Sequence, residues 1–210
     1  MHNAILNTTY NQGDLNMFKK VILAALIVTS AVFAQVNVGG RAAFTFGTSW
    51  GGGDGDKNWG AGFAAGIDAK VPINQNLAFV PGLEVELRRI SDEYESYGYT
   101  VENSLSMWYL DIPLLLRINA NPQFFFDVGL GVGFNLSSEA TREAAGHSES
   151  ADVGDQMETV DLGAIVGFGV AVMPNLDVNV RATIGFTEMA KDAEGSKNLR
   201  FQAGVTYWFM

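Results

Sequence analysis

Phe124-Phe-Phe-Asp-Val-Gly-Leu-Gly-Val-Gly-Phe134 repeats with a period of two. Phe124, Phe126, Val128, Leu130, Val132 and Phe134 share one face of an extended chain, and Asp127, Gly129, Gly131 and Gly133 share the other, because successive strand side chains point to opposite sides. The run is longer than the roughly five or six residues of an average globular strand. It matches the roughly 9–11 that a tilted strand needs to cross hydrocarbon.

The same pattern recurs on both sides of it. Val36, Val38, Ala42, Phe44 and Phe46 oppose Asn37, Arg41 and Thr45; Trp59, Phe63, Ile67 and Val71 oppose Gly62, Gly66, Asp68 and Lys70. Leu77, Phe79, Leu83, Val85 and Leu87 face away from Glu84, Glu86 and Arg88, and Trp108, Leu110, Ile112, Leu114, Leu116 and Ile118 from Asp111 and Arg117. Towards the carboxyl end, Val160, Leu162, Val166, Phe168 and Val170 oppose Asp161 and three glycines. Val178, Val180, Ile184 and Phe186 then oppose Asp177, Asn179, Arg181 and Thr183, and Leu199, Phe201, Val205, Tyr207 and Phe209 oppose Arg200, Gln202, Gly204 and Thr206. Counting these segments predicts eight strands.

The connections alternate as well. Trp50–Asn58, Ser91–Ser104, Ser137–Met157 and Glu188–Lys197 read as long loops, and Pro72–Asn76, Asn119–Pro122 and Met173–Asn175 as short turns containing Pro and Asn. Long loops on one rim and short turns on the other are the pattern of an outer-membrane barrel, with the short turns in the periplasm. Charge sorts in the same way. The strands carry seven carboxylates (Asp68, Glu84, Glu86, Asp111, Asp127, Asp161, Asp177) and seven bases (Arg41, Lys70, Arg88, Arg89, Arg117, Arg181, Arg200). The remaining fifteen acids and four bases after Ala34 fall in the long loops. Arg89 alone lies on the apolar parity, at a strand end where it can snorkel towards a lipid phosphate.

Alternation does not say which face is outside. Unpaired ions in a dry core would cost several kcal/mol each, whereas equal numbers of opposite sign can interlock inside a closed tube. Glycine alternates with the charged positions on the narrow side, leaving room for Arg and Phe125. Trp50, Trp59 and Trp108 stand at one end of the apolar band and Tyr207 and Phe209 at the other, as interfacial girdles do. The expected fold is therefore all-β: an eight-stranded antiparallel up-and-down transmembrane barrel with its apolar face in lipid.

Composition agrees by exclusion. Hydrophobic residues are 48% of the chain and charged residues 17%, too apolar for a disordered segment. The net charge of −10 disfavours nucleic acid as a partner. With no cysteine, disulfides and thiol chemistry are excluded. Lys19 and Lys20 precede an apolar run from Val21 to Phe33, and Val32 and Ala34 supply a cleavage site before Gln35. That is the layout of a secretory signal peptide. The expected organisation is a non-native extension over 1–16, a signal peptide over 17–34 and the barrel over 35–210.

Tyr109-Leu-Asp-Ile-Pro-Leu-Leu-Leu-Arg117 resembles the signature strand of the porin-family, PorT-like outer-membrane β-barrel domain, and Asp161-Leu-Gly-Ala-Ile-Val-Gly-Phe-Gly169 resembles a later glycine-alternating strand of that family. Val205-Thr-Tyr-Trp-Phe209 is similar to the aromatic carboxyl-terminal signal read by barrel-assembly machinery, although Met210 follows it. The resemblance implies a location in the outer membrane of a Gram-negative-type bacterium and carries little about activity.

Candidate chemistry is sparse. Asp54-Gly-Asp56-Lys-Asn58 opens like a calcium loop, but Trp59 stands where the turn glycine belongs and Ala65 where the closing Glu belongs. His147 lies in Gly146-His-Ser-Glu-Ser150, where consecutive side chains diverge rather than converge as a catalytic set. No enzyme, metal or cofactor is expected. Arg41, Glu84, Glu86, Arg88, Asp111, Arg117, Asp127, Asp161, Asp177, Arg181 and Arg200 form the candidate lumenal charge network. Eight strands leave an interior just wide enough for side chains to fill, so the expected function is a non-enzymatic envelope-stabilising or surface-interaction protein with acidic loops. The alternative is a narrow porin. Expected partners are outer-membrane lipid, lipopolysaccharide and the assembly machinery, with a monomer as the unit.

Overall fold

A computed structural model describes residues 36–50, 59–96, 99–144, 147–188 and 197–209. The expected extension and signal peptide over 1–34 and the calcium-like Asp54–Asn58 stretch lie outside the described residues. Nine strands run in order: β1 Asn37–Trp50, β2 Gly60–Pro72, β3 Leu77–Ser96, β4 Tyr99–Asn119, β5 Phe124–Ala144, β6 His147–Asp152, β7 Val160–Met173, β8 Leu176–Glu188 and β9 Lys197–Phe209. The sheet order is β4-β3-β2-β1-β9-β8-β7-β5-β6, with β4 also paired to β5. Removing β6, which pairs with β5 alone, leaves eight antiparallel staves that close on themselves. The seam between first and last strand runs from Val38 opposite Phe209 to Trp50 opposite Lys197.

Closure follows from the solvent. No water is available in hydrocarbon to satisfy backbone amides, so an open sheet edge is not tolerated there. The apolar parity faces outward: Phe44 is 72% exposed and Val180 54%, while Arg117 is 1% and Glu86 0% exposed. This arrangement inverts that of a soluble barrel. The short turns are fixed by asparagine. Asn74 Oδ1 accepts the amides of Asn76 and Leu77, both at 2.9 Å. Asn121 Oδ1 does the same for Gln123 at 2.8 Å and Phe124 at 2.9 Å. The third turn is the pair Pro174-Asn175.

Two of the expected long loops are strand instead. β3, β4 and β5 are 20, 21 and 21 residues long, against 13 or 14 for the other staves. Ser91–Ser104 is thus mostly the top of the β3–β4 hairpin, paired from Ile90 with Leu105 to Ser96 with Tyr99. Ser137–Met157 holds the top of β5, the return strand β6 and a 3-10 turn, Gly154–Gln156. These segments look like loops because they are polar, but a sheet that has left the bilayer turns its outer face to water and needs no apolar side there. A bulge at Leu136 marks the transition: Tyr109 opposes Asn135 and Trp108 opposes Ser137. Together β3, β4, β5 and β6 form a wall on one side of the long-strand rim.

The inversion predicts position-dependent costs. Leu130→Lys, mid-band on the lipid side, is expected to destabilise the barrel by about 2–4 kcal/mol. Ser137→Lys, exposed on the outer side of the wall, should change stability by less than about 0.5 kcal/mol. Urea titration of protein folded in lipid vesicles checks both.

Candidate functional site

The inward parity builds three ion clusters, the lower two joined by Arg181. Nearest the short turns, Arg117 on β4 grips Asp127 with Nε at 2.8 Å and Nη2 at 3.0 Å, and its Nη1 reaches Asp177 at 2.6 Å. The guanidinium lies 3.6 Å from the centre of the Phe125 ring. Gly169, opposite Phe125 across the β5–β7 ladder, is required there, because a Cβ would enter that ring. Trp208 Nε1–H donates to Asp177 at 2.8 Å, and Lys70 Nζ stands 4.2 Å from the Trp208 ring.

In the middle cluster, Arg181 joins Glu84 at 3.2 Å and Asp68 at 3.4 Å, and reaches down to Asp127 at 3.7 Å. Arg41 Nε is 3.0 Å from Glu84, as a charge contact too oblique for a hydrogen bond, while its Nη1 donates to Asn179 at 2.7 Å. In the upper cluster, Arg88 bridges Asp111 and Asp161, both at 2.7 Å, and touches Glu86 at 3.3 Å. Arg200 closes this cluster onto Glu86 and, at 3.5 Å, onto Asp111. Asp161 also accepts from Asn198 and Thr187.

All eleven candidate network residues therefore face the lumen, and the arginines join several strands across it. Arg89 points outward instead, 3.3 Å from Ser106 Oγ. The lumen consequently holds seven carboxylates against six bases rather than the balance counted over whole strands. A cavity of about 20 Å³ among Thr45, Glu86, Arg88, Met107 and Arg200 has room for about one water molecule. Of the girdle residues, Trp59 and Trp108 face outward beside Phe201 and Phe63 respectively, and Tyr207 and Phe209 pack together at the opposite end. The side chain of Trp50 lies outside the described residues.

Sequence reasoning missed part of the lumen. Ala78, Val80, Leu115, Ile165 and Trp208 form a buried apolar cluster on the ionic parity. The signal was present for Trp208, since outward Tyr207 and Phe209 force it inward. A second cluster, Met107, Tyr109 and Met157 with Ile90 and Leu105 against it, roofs the upper ions, and Arg88 lies 3.7 Å from the Tyr109 ring centre. Among the described residues no three His, Asp or Glu side chains gather as a metal site needs. His147 opens β6, opposite Ala144.

A family model described as "Outer membrane protein beta-barrel domain" matches residues 33–191. Two solved structures share the fold at low identity. Ail, the attachment invasion locus protein of Yersinia pestis, in complex with the heparin analogue sucrose octasulfate, gives a TM-score of 0.52 at 16% identity, over 83% of this chain and 99% of that one. Neisserial surface protein A gives 0.52 at 14% identity, over 82% and 97%. No curated protein matches the chain.

The network predicts non-additive mutational costs. Among the described residues, Arg117→Met leaves Asp127 within ion-pair reach of only the distant Arg181 and Asp177 hydrogen-bonded only by the Trp208 N–H, and should cost about 3–5 kcal/mol. Adding Asp127→Asn and Asp177→Asn removes those charges and should recover a large part of that loss, as read from urea midpoints in vesicles.

Proposed function

This chain belongs to the outer membrane protein beta-barrel domain family, an eight-stranded barrel in a Gram-negative-type outer membrane, and we propose that it works there as a non-enzymatic surface-interaction protein whose lumen is closed. The observation that carries this reading is the cross-lumen packing at the short-turn end. Arg117, held by Asp127 against Phe125 and beside Trp208, reaches across the lumen from β4 to Asp177 on β8, a stave it does not pair with. Val80 and Leu115, both 0% exposed, pack the interior beside it. A conducting path would require these groups to separate, leaving buried charges without partners at several kcal/mol each.

The working surface proposed is the wall. Residues 91–106 and 137–159 carry ten carboxylates (Asp92, Glu93, Glu95, Glu102, Glu139, Glu143, Glu149, Asp152, Asp155, Glu158) and one guanidinium, Arg142. Such a surface repels polyanions. The polyanion bound in the Yersinia structure is therefore a poor candidate here, despite the shared fold. Lipopolysaccharide is the proposed lipid partner at the girdle, with Arg89 beside Ser106 available to its phosphates. The proposed unit is a single copy, since the staves close and leave no barrel edge. The terminal Val205–Phe209 strand is the proposed signal to the assembly machinery.

In planar bilayers the purified protein is expected to give no steady unitary currents. Trp208→Ala combined with Phe125→Ala should raise conductance above that baseline by opening the short-turn end. Steady ohmic steps from the unaltered protein would establish the porin reading instead. Retention on immobilised heparin at about 0.15 M salt, where surface charges are screened beyond roughly 8 Å, is expected to be absent.

A further inference from the structure

Above the aromatic band the alternation of β3, β4 and β5 continues with its polarity reversed. The outer side now carries Ser106, Ser137 and Glu139, and the inner side Ile90, Leu105, Ala140 and Ala151 nearest the girdle, with Asn103, Arg142 and Glu149 one row further out. Water outside explains the first half of this reversal. It does not explain why the inner side is apolar, since an inner face open to water could equally be polar. That inner side, with Val153 and Met157 from the segment after β6, bounds a cavity of about 650 Å³. This lies within the roughly 300–1,000 Å³ of small-molecule sites, which are also mostly apolar with a few polar groups. Asn103, Arg142, Glu149 and Gln156 supply those groups. Met157, whose amide donates to Gly154 C=O at 3.2 Å, belongs to the same buried cluster as Met107 and Tyr109, so the cavity ends on the roof of the sealed lumen.

The charge of the wall selects the ligand class. By sequence the segments that build the wall carry ten carboxylates against Arg142, with Glu149 among the residues that line the apolar recess, and a cleft in a surface of one sign concentrates counter-ions. We propose that this extracellular cavity binds small apolar cations: amines, or quaternary ammonium or phosphonium compounds with an aromatic or aliphatic body. The apolar body displaces water from Ile90, Leu105 and Met157, and the positive charge stays towards the acidic rim. The inference rests on the wall being the working surface.

Tetraphenylphosphonium and tetraphenylborate, which have nearly the same shape and opposite charge, test it. Protein purified from outer membranes is reconstituted in zwitterionic nanodiscs, and binding is measured by equilibrium dialysis against empty discs. Saturable binding of one phosphonium per barrel is expected, with the borate at least about tenfold weaker because like-charge juxtaposition is penalised. Ala151→Trp fills the cavity and should weaken phosphonium binding at least about tenfold, a loss of about 1.4 kcal/mol. Ser137→Trp, exposed on the outer side and outside the cavity lining, should leave binding within about twofold, as expected for surface substitutions away from a site. Absence of saturable binding, equal binding of the borate, or no effect of Ala151→Trp in folded protein overturns the proposal. The wild-type comparison decides alone if Ala151→Trp does not fold. A silent barrel that binds no phosphonium would remove the ligand and leave the closed-lumen reading intact, whereas conductance tests that reading separately.

Discussion

Hydrocarbon offers backbone amides no partner but one another, and the rest of the molecule depends on that constraint. It requires the staves to close, from β1 through β5 and β7 to β9. Closure at eight strands then fixes a narrow interior, and the period of two places every second side chain within it. Small residues fit without difficulty. The large or charged ones must pair across the axis, because a lone ion there would be uncompensated. Arg88, Arg117 and Arg181 accordingly each contact two or three carboxylates drawn from different strands. Such pairs need not add net stability over an apolar filling. Their more secure contribution is register, since a slip of one residue would move a guanidinium from its carboxylates into lipid.

Much of this was legible in the chain. The eight apolar stripes, the three Asn-containing turns and the inward parity of every network residue follow from alternation alone, because lipid on one side and a crowded lumen on the other leave strand residues little freedom. Legibility failed where that pressure lapses. Beyond Arg89 and Ser106 the sheet is bathed in water, so its outer side became polar and its sequence resembled a loop. β6 is too short and too hydrophilic, His-Ser-Glu-Ser-Ala-Asp, to show as a strand. The bulge at Leu136 shifts the parity of β5 by one and hides the continuity of its upper half. Inside the barrel, Val80, Leu115 and Ile165 escaped notice because apolar residues on the ionic parity carry no charge to flag them.

The two halves of β3, β4 and β5 thus obey opposite rules along one continuous ladder. Below the girdle the outside is greasy and the inside ionic; above it the outside is hydroxylic and acidic, and the inside sets Ile90, Leu105, Ala140 and Ala151 below a row of Asn103, Arg142 and Glu149. Tyr109 and Met107 sit at the crossover, and with Met157 they separate the upper ion cluster from the recess above. One layer of side chains therefore lies between the upper ion cluster and the recess.

The lipid-facing orientation of the apolar stripe is tested most directly by spin labelling, for which the absence of native cysteine is convenient. Single cysteines placed in turn from position 124 to 142 are labelled, and collision with dissolved oxygen, which concentrates in hydrocarbon, is compared with collision with a water-soluble nickel chelate. Oxygen accessibility should oscillate with a period of two and peak at Phe126, Val128, Leu130 and Val132. Past the bulge at Leu136 the phase should step by one residue, with Ser137, Glu139 and Thr141 answering to the nickel reagent instead. Oxygen maxima at Asp127, Gly129 and Gly131, or a flat profile across the band, would contradict an apolar face in lipid around an enclosed ionic interior.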